Sequence, residues 1–255
     1  MEKLSKGFLD GYYYGSYWAF RHYGKIIERA FSVLSPKPKV AVEVGCGVGM
    51  ATYVLSKQVH HLICIDTNEE YIQKVKEMVK ETGIKNVSFM KTELDKISLD
   101  RKVDLLFFKD VLHHIPSSAD YLKSCLSFSN YLLVIEANRY NPLLYWICKN
   151  LEEERQFLKM NSLHNIVRVV EKGGWQCEKS FYVESAAYPL GYCCHNFVLH
   201  RKKMSEIILR YVGKLYRYNS VSSMVDRAES LVEKMLTPFC SEFIIIAKKQ
   251  GNIIH

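Results

Sequence analysis

Short apolar runs alternate with amphipathic stretches through the middle of the chain, which predicts strands separated by helices. The runs have largely apolar centres, as expected of strands that helices cover on both faces. They occupy residues 39–44, 61–66, 87–91, 103–108 and 131–136. Between the second and third runs, Asn68 can cap a helix and Gly83 can end it. Strands joined by helices in this order predict a parallel, doubly wound α/β sheet.

The pattern changes after residue 140, where one long helix and two further strands are predicted. The helix is expected over residues 151–172, ending at Gly173-Gly174, and the strands over 175–183 and 243–248. These strands complete a mostly parallel, seven-stranded sheet. Residues 184–238 separate the last two strands and are too long for a plain loop, so they are interpreted as an insertion or lid.

The predicted organisation has four parts along the chain. These are a helical N-terminal segment (1–36), a core (37–183), the insertion (184–238) and the last strand with its tail (239–255). Within the insertion, a helix over 201–218 would carry six basic residues and one acidic residue. Such a helix suits a lid with a solvated basic face, or contact with a membrane surface or phosphates.

Composition excludes several classes of protein. With 48% hydrophobic and 24% charged residues, the chain has the balance of a folded protein, and 255 residues suit one α/β domain or two small ones. No apolar run approaches the ~18 residues of a membrane span, and no secretion signal is evident, so a cytoplasmic protein is predicted. None of the eight cysteines forms a Cys-x-x-Cys pair, which favours reduced, buried thiols and no metal site.

The net charge of +8 is concentrated at the two ends of the chain. Residues 1–40 carry seven basic and three acidic residues, a net +4, and residues 201–255 carry ten and five, a net +5. Residues 41–200 are nearly neutral, at −1. The basic charge therefore lies mostly outside the predicted core, and it indicates binding to an acidic acceptor molecule or an acidic surface.

A glycine-rich loop follows the first predicted strand, in the run Glu43-Val-Gly45-Cys46-Gly47-Val-Gly49. Glycines there let the backbone turn sharply and let a ligand approach closely, and ligands of parallel sheets bind beyond the carboxyl ends of strands. The spacing differs from the Gly-x-Gly-x-x-Gly of dinucleotide-binding loops, since position 50 is Met, which argues against a dehydrogenase. Asp66 ends the second strand, where a carboxylate can accept hydrogen bonds from ribose hydroxyls or simply cap a helix.

With these residues in place, the chain resembles the class I S-adenosylmethionine-dependent methyltransferases, in their ubiquinone-biosynthesis-like branch. The resemblance rests on the loop at 43–49, on Asp66 and on the run Asp104-Leu-Leu-Phe-Phe-Lys-Asp-Val-Leu-His-His-Ile115, and it covers about 39–137. It implies a seven-stranded, Rossmann-like methyltransferase fold with S-adenosylmethionine as cofactor.

The resemblance also assigns roles around the cofactor. Gly45, Gly47 and Gly49, with Cys46 among them, would line the methionine and ribose part. Glu43 would orient the loop or meet the cofactor's ammonium group. Asp66 would hold the ribose hydroxyls.

Three further positions follow from the same comparison. Thr67 would lie beside the adenine. Glu93 falls where the family commonly has an Asp that contacts the adenine amino group. Lys109 would lie near the methyl group, where repulsion from a sulfonium predicts that it points outward or toward an anionic substrate.

A candidate base follows the fourth strand. Asp110 and His114 have the spacing found in phosphoethanolamine methyltransferases, where a His works with an N-terminal Tyr. His114 is therefore the candidate catalytic residue, and Tyr12, Tyr13, Tyr14 and Tyr17 supply N-terminal tyrosines. The alternative is that Leu-His-His-Ile only packs and caps this part of the fold.

Three functions stay open at this point. The first is methyl transfer to a small-molecule acceptor, with anionic and lipid-like acceptors both considered. The second is methylation of RNA, against which Lys109-Asp-Val-Leu112 stands in place of the Asn/Asp-Pro-Pro-aromatic tetrad of many base methylases. The third is a non-catalytic, cofactor-binding regulatory protein. Peripheral membrane contact and the oligomeric state are also open.

Overall fold

A single mixed sheet organises the part of the chain that the computed structural model describes, which is residues 17–92, 102–149, 155–184 and 218–250. Its strands are β1 (Val40–Val44), β2 (His61–Asp66), β3 (Val87–Lys91), β4 (Val103–Lys109), β5 (Ser129–Ala137), β6 (Trp175–Val183) and β7 (Glu242–Lys249). Their order is β3-β2-β1-β4-β5-β7-β6, and β7 runs antiparallel to both of its neighbours. The predicted doubly wound, mostly parallel seven-stranded sheet is confirmed.

Helices lie along the sheet and at its ends. They are α1 (Tyr17–Val33), α2 (Met50–Leu55), α3 (Glu69–Thr82), α4 (Ser118–Ser124), α5 (Pro142–Cys148), α6 (Arg155–Met160), α7 (Leu163–Lys172) and α8 (Asn219–Met235). Asn68 caps α3 as predicted, since its side chain accepts a hydrogen bond from the Glu70 amide at 2.8 Å. Gly83, with φ of 68°, ends the same helix. None of the helices described here is long and apolar enough to cross a bilayer.

The single helix predicted over 151–172 is wrong, because two helices, α6 and α7, meet at Asn161 and Ser162. The Asn161 side chain is fully buried and donates to the Glu136 carboxylate at 2.7 Å. Ser162 then starts α7 by accepting a hydrogen bond from the Asn165 amide. These two side-chain hydrogen bonds, of Asn161 and Ser162, interrupt the helix at this point. The spacing of apolar residues does not reveal such bonds.

Strand β4 separates two hydrophobic cores. Leu105 and Phe107 face the core that contains Ile26 of α1, while Leu106 and Phe108 face the opposite core. All four of these β4 side chains are buried. This double burial makes β4 a rigid support for the residues that follow it.

Because β7 runs antiparallel to its neighbours, its first residue lies at the edge of the sheet where the parallel strands end. Glu242 pairs with Ala137 at the end of β5 and with Val183 at the end of β6. The edge that ends in Asp66 on β2 and Lys109 on β4 therefore also receives a carboxylate from the last strand.

Helices α1 and α8 are joined by ion pairs. Arg29 donates to Glu233 at 2.7 and 2.6 Å, and Lys25 contacts Glu229. Part of the positive charge of residues 1–40 is thus neutralised within the protein. Partly exposed pairs of this kind add little stability, so their main consequence is to hold α8 against α1.

Candidate functional site

A cavity of about 340 Å³ opens at the carboxyl edge, where β1, β2 and β4 end. It is lined by Tyr23, Glu43, Gly45, Cys46, Gly47, Val48, Met50, Ala51, Asp66, Tyr71, Lys109, Asp110, Val111 and His114. Seven of these residues are site residues expected from the sequence, so the structure brings most of that set together. Among the described residues, no cluster of His, Cys, Asp or Glu side chains is arranged to hold a metal ion.

The glycine loop is fixed to the end of β2 by its backbone. The amides of Gly45 and Cys46 both donate to the Ile65 carbonyl, at 2.8 and 3.1 Å. Gly47 has φ of 48°, and a Cβ added to it would meet no protein atom within 4 Å. Since Gly47 lines the cavity, its backbone is open to a ligand on that side.

Gly49 has a different role from the one expected. It does not line the cavity, and an added Cβ would lie 3.0 Å from a Val75 methyl and 3.1 Å from the Met78 methyl of α3. With φ of 86°, Gly49 lets the loop turn into α2 while α3 packs closely against it. The sequence motif therefore mixes a cavity-facing glycine, Gly47, with a packing glycine, Gly49.

Asp66 combines the two roles that the sequence left open. Its Oδ2 accepts the Gly47 amide at 2.9 Å and its Oδ1 accepts the Asn68 amide at 2.9 Å. It therefore ties the glycine loop to the start of α3. It is also one of the cavity-lining residues, so the remaining lone pairs of its carboxylate are available to a ligand.

Two positions expected near the adenine give different outcomes. Thr67 is exposed and does not line the cavity, whereas Tyr71, the third residue of α3, does. Glu93 lies outside the described residues. So do Tyr12, Tyr13 and Tyr14 and most of the helix expected over 201–218.

Glu43 is a buried carboxyl at the end of β1. Its Oε2 accepts the Thr52 hydroxyl at 2.6 Å and contacts the Cys64 thiol at 3.5 Å. Burial raises the pKa of Glu43 to about 8, although the hydrogen bond from Thr52 opposes the rise. The cavity therefore contains a carboxyl that ionises readily only when a positive group approaches it.

Lys109 does not point outward, which corrects one of the two expectations for it. Its Nζ donates to Asp110 Oδ2 at 2.7 Å and contacts the Glu242 carboxylate. Burial opposes its positive charge, but Asp110 and Glu242 outweigh burial and raise the pKa of Lys109 well above its usual range. Lys109 is thus a neutralised cation in the cavity wall.

The two histidines after β4 face different surroundings. His113 is buried, and its Nδ1 lies 2.8 Å from Glu136 Oε2. The other oxygen of Glu136 accepts the amides of Val111 and Leu112, at 3.1 and 2.8 Å. His114 is exposed at the cavity, with its ring centroid 4.0 Å from that of His113. Glu136 therefore fixes the turn that presents His114.

Sequence reasoning missed Tyr23, Tyr71 and Glu242 as parts of this site. Tyr71 could have been found from its place in the first turn after Asp66. Glu242 could not, because it reaches Lys109 across 133 positions of sequence and no local pattern marks it.

A second cavity, of about 550 Å³, lies along α8 and is mostly apolar. It is lined by Asn141, Pro142, Glu184, Met224, Val225, Ala228, Glu229, Val232, Leu236 and Phe239, and is called the α8 groove below. Burial, and secondarily the nearby Glu229, raises the pKa of Glu184 to about 7. Asn141 starts α5 by accepting the amides of Leu143 and Leu144, and it also lines the α8 groove.

Comparison with known proteins agrees with this architecture. Residues 35–189 match the model of a family described as "Methyltransferase domain". That match covers more than half of the chain. The protein therefore belongs to this methyltransferase-domain family.

Curated relatives and solved structures are more distant. The ubiquinone biosynthesis O-methyltransferases of Rickettsia felis and Rickettsia bellii (strain OSU 85-389) are 23% and 24% identical, over 56% and 49% of this chain. The matched part spans 64% and 58% of those two proteins. This chain therefore matches about three-fifths of the length of these relatives.

Among solved structures, a SAM-dependent methyltransferase from Aquifex aeolicus has a TM-score of 0.51 at 21% identity, covering 63% of this chain and 82% of that one. The [4+2]-cyclase SpnF has a TM-score of 0.59 at 12% identity, covering 90% and 82%. Magnesium protoporphyrin IX methyltransferase from Synechocystis PCC 6803, with bound SAM, has a TM-score of 0.53 at 11% identity, covering 91% and 79%. At these identities the likeness establishes the Rossmann-like methyltransferase fold, and the cyclase shows that this fold also serves other chemistry.

Gly47→Ala tests whether the open side of the glycine loop is a ligand surface. The added Cβ should weaken S-adenosylmethionine binding at least tenfold, as measured by calorimetry. Gly83→Ala is the matched control, since Gly83 also has a positive φ and open space around it. Both variants should lose about 1 kcal/mol of stability from left-handed strain, and equal cofactor affinity in the two would contradict the assignment.

The raised pKa of Glu43 predicts a pH-dependent stability of the ligand-free protein. Between its ordinary value of 4.5 and about 8, the folded state keeps a proton that the unfolded chain has lost. The contribution of Glu43 is therefore fully present below pH 4.5 and is lost as pH rises through this window, by about 1.4 kcal/mol per pH unit at most. Glu43→Gln should flatten the decline in denaturant titrations from pH 5 to 8, while exposed Glu77→Gln should not; parallel profiles for Glu43→Gln and wild type would refute this.

Proposed function

We propose that the protein binds S-adenosylmethionine in the 340 Å³ cavity and transfers its methyl group to a small-molecule acceptor. One observation carries this proposal: Glu43, Asp66 and Asp110 surround a ligand-facing glycine loop at the carboxyl edge of the sheet. The donor carries a sulfonium, an ammonium group and two ribose hydroxyls, which call for negative and hydrogen-bond-accepting partners. Membership of the methyltransferase-domain family supports the same conclusion.

The lining residues suit particular parts of the donor. Asp66 would accept the ribose hydroxyls with the lone pairs that Gly47 and Asn68 do not use. Tyr71 would pack against the adenine. Glu43 or Asp110 would face the ammonium group. The Synechocystis neighbour, solved with SAM and with SAH bound, supports placing this ligand in the fold.

The protein's contribution to the chemistry is alignment, exclusion of water and removal of a proton. The donor supplies a methyl group activated by the positive sulfur, and the acceptor must approach it in line. His114, exposed at the cavity, would accept the proton of an acceptor hydroxyl. His113, held by Glu136 and Asn161, would orient the His114 ring against which it lies.

The acceptor is proposed to be a lipid-like molecule methylated on oxygen. The α8 groove offers an apolar wall of Val225, Val232, Leu236 and Phe239 at the same edge of the sheet. Its polar groups include the carboxyl of Glu184, which disfavours an anionic acceptor. The Rickettsia relatives are ubiquinone biosynthesis O-methyltransferases, which agrees with oxygen as the acceptor atom.

Methylation of RNA and a regulatory role without catalysis are the rival proposals. Lys25 and Arg29 pair with Glu229 and Glu233 of α8. Less of the positive charge of the N-terminal segment is therefore available to bind RNA phosphates. The similar fold of the [4+2]-cyclase SpnF is the observation behind a role without methyl transfer. A labelled methyl donor separates these rivals from the proposed function, because RNA methylation would label RNA and a non-catalytic protein would label nothing.

Asp66→Asn should lower the affinity for S-adenosylmethionine about tenfold or more, as measured by calorimetry. The reason is that an amide presents only one oxygen to the ribose and to the Gly47 amide. Asp104→Asn is a matched control. Asp104 also accepts two backbone amides, from Lys39 and Val40 at 2.8 and 2.9 Å, but it lies at the start of β4. Loss of affinity in both variants, or in neither, would contradict the assigned role of Asp66.

The acceptor class is tested by incubating the protein with methyl-labelled S-adenosylmethionine and fractionated cell extract. Label should enter the organic-soluble fraction, and Val232→Asp should reduce this transfer about tenfold without changing donor affinity. Leu231→Asp, on the exposed side of α8, should have no such effect. Label in RNA would establish the first rival, and donor binding without labelling of any fraction would establish the second.

A further inference from the structure

A buried charge cluster lies against the cofactor cavity and joins three elements that are distant in sequence. Lys109, at the end of β4, contacts Glu242 at the start of β7 and Asp110. His22 of α1 completes the cluster, with its Nε2 3.2 Å from Glu242 Oε2. The side chains of Lys109, Glu242 and His22 are 5%, 0% and 3% exposed, so solvent screens their charges little.

Lys109 by itself would oppose the proposed ligand. It lines the cavity as a permanent cation, and a positive sulfur in the same cavity would be repelled by it. Asp110 and Glu242 each place a carboxylate in contact with its ammonium group. With both ionised, the three groups together carry a net negative charge toward the cavity.

Two neighbouring groups do not supply this compensation, and a further carboxyl, Glu184 just after β6, acts on Glu242 from outside the cavity. Burial, reinforced by the nearby Lys109 and Lys25, lowers the pKa of His22 well below its usual range, so His22 is neutral. Tyr23 places its ring 5.1 Å from Lys109 Nζ, and burial raises the pKa of its phenol, which therefore stays neutral as well. Glu43 faces the same cavity from β1.

We propose that Glu242 is a positioning residue that acts through Lys109, offsetting its charge so that the cavity prefers the cationic methyl donor over the uncharged sulfur of the demethylated product. Because Glu242 does not line the cavity, it exerts this preference without touching the ligand. The inference rests on the proposed function. Burying an ion pair costs desolvation free energy, and a well-packed hydrophobic pair often replaces one without loss of stability. An effect on ligand preference therefore gives this ion pair a function that stability alone does not.

The preference should be largest where Glu242 is ionised. Burial raises the pKa of Glu242, against the opposing effect of Lys109. Glu242 is therefore more fully ionised at pH 8.5 than at pH 6.5.

The test is calorimetric titration of the full chain with S-adenosylmethionine and S-adenosylhomocysteine at pH 8.5. Glu242→Gln should lower the affinity for S-adenosylmethionine about tenfold, which is the effect of one charge acting over about 10 Å at an effective dielectric constant of about 20. The affinity for S-adenosylhomocysteine should change less than twofold. The effect on S-adenosylmethionine affinity should be smaller at pH 6.5. Glu242→Asp, which keeps the charge, should restore most of the preference.

Glu178→Gln is a matched control, since Glu178 also pairs with a lysine on β7, Lys248, at 2.6 Å but on the surface. It should change neither affinity. If Glu242→Gln does not fold, Lys109→Gln gives the opposite readout, an increased preference for the donor.

An equal change in both affinities for Glu242→Gln, or no change, would overturn the inference while leaving cofactor binding intact. Binding of neither compound by the wild-type protein would instead refute the proposed function, and the inference with it.

Discussion

The parallel pairing of β1 with β2 and β4 is the constraint on which the candidate site depends. It brings the carboxyl ends of three strands to one edge, and the glycine loop, Asp66 and Lys109 converge there. The amide of Gly47 then donates to Asp66, which locks the loop to the neighbouring strand. Since both hydrophobic cores bury β4, the edge is held rigidly from beneath.

Buried carboxyl groups give this edge its chemistry, and each is satisfied differently. Glu136 accepts the Val111 and Leu112 amides and meets His113, so its role is to shape a turn. Asp66 accepts two amides and still faces the cavity. Glu43 meets the Thr52 hydroxyl and the Cys64 thiol, and its raised pKa leaves it responsive to a positive ligand. The same residue type thus shapes the backbone in one place and faces the cavity in another.

Much of the fold was predictable from the sequence because strands covered by helices leave apolar runs, and because Asn68 and Gly83 mark helix ends. The candidate cavity was predictable in outline because many of its residues fall in short motifs at strand ends. What local patterns could not show were contacts between distant segments. Asn161 breaks a helix by reaching Glu136, Lys109 is turned inward by Glu242, and Gly49 serves α3 rather than the cavity. The basic ends were also misleading in part, since α1 and α8 pair their charges with each other.

Hydrogen–deuterium exchange with and without S-adenosylmethionine tests the central claim most directly, because it locates the ligand without any substitution. The account predicts slowed amide exchange over residues 43–50, 66–71 and 109–114, and unchanged exchange in α7, which lies away from the cavity. Protection confined to other segments, or no protection at a saturating donor concentration, would contradict the claim that this cavity holds the methyl donor.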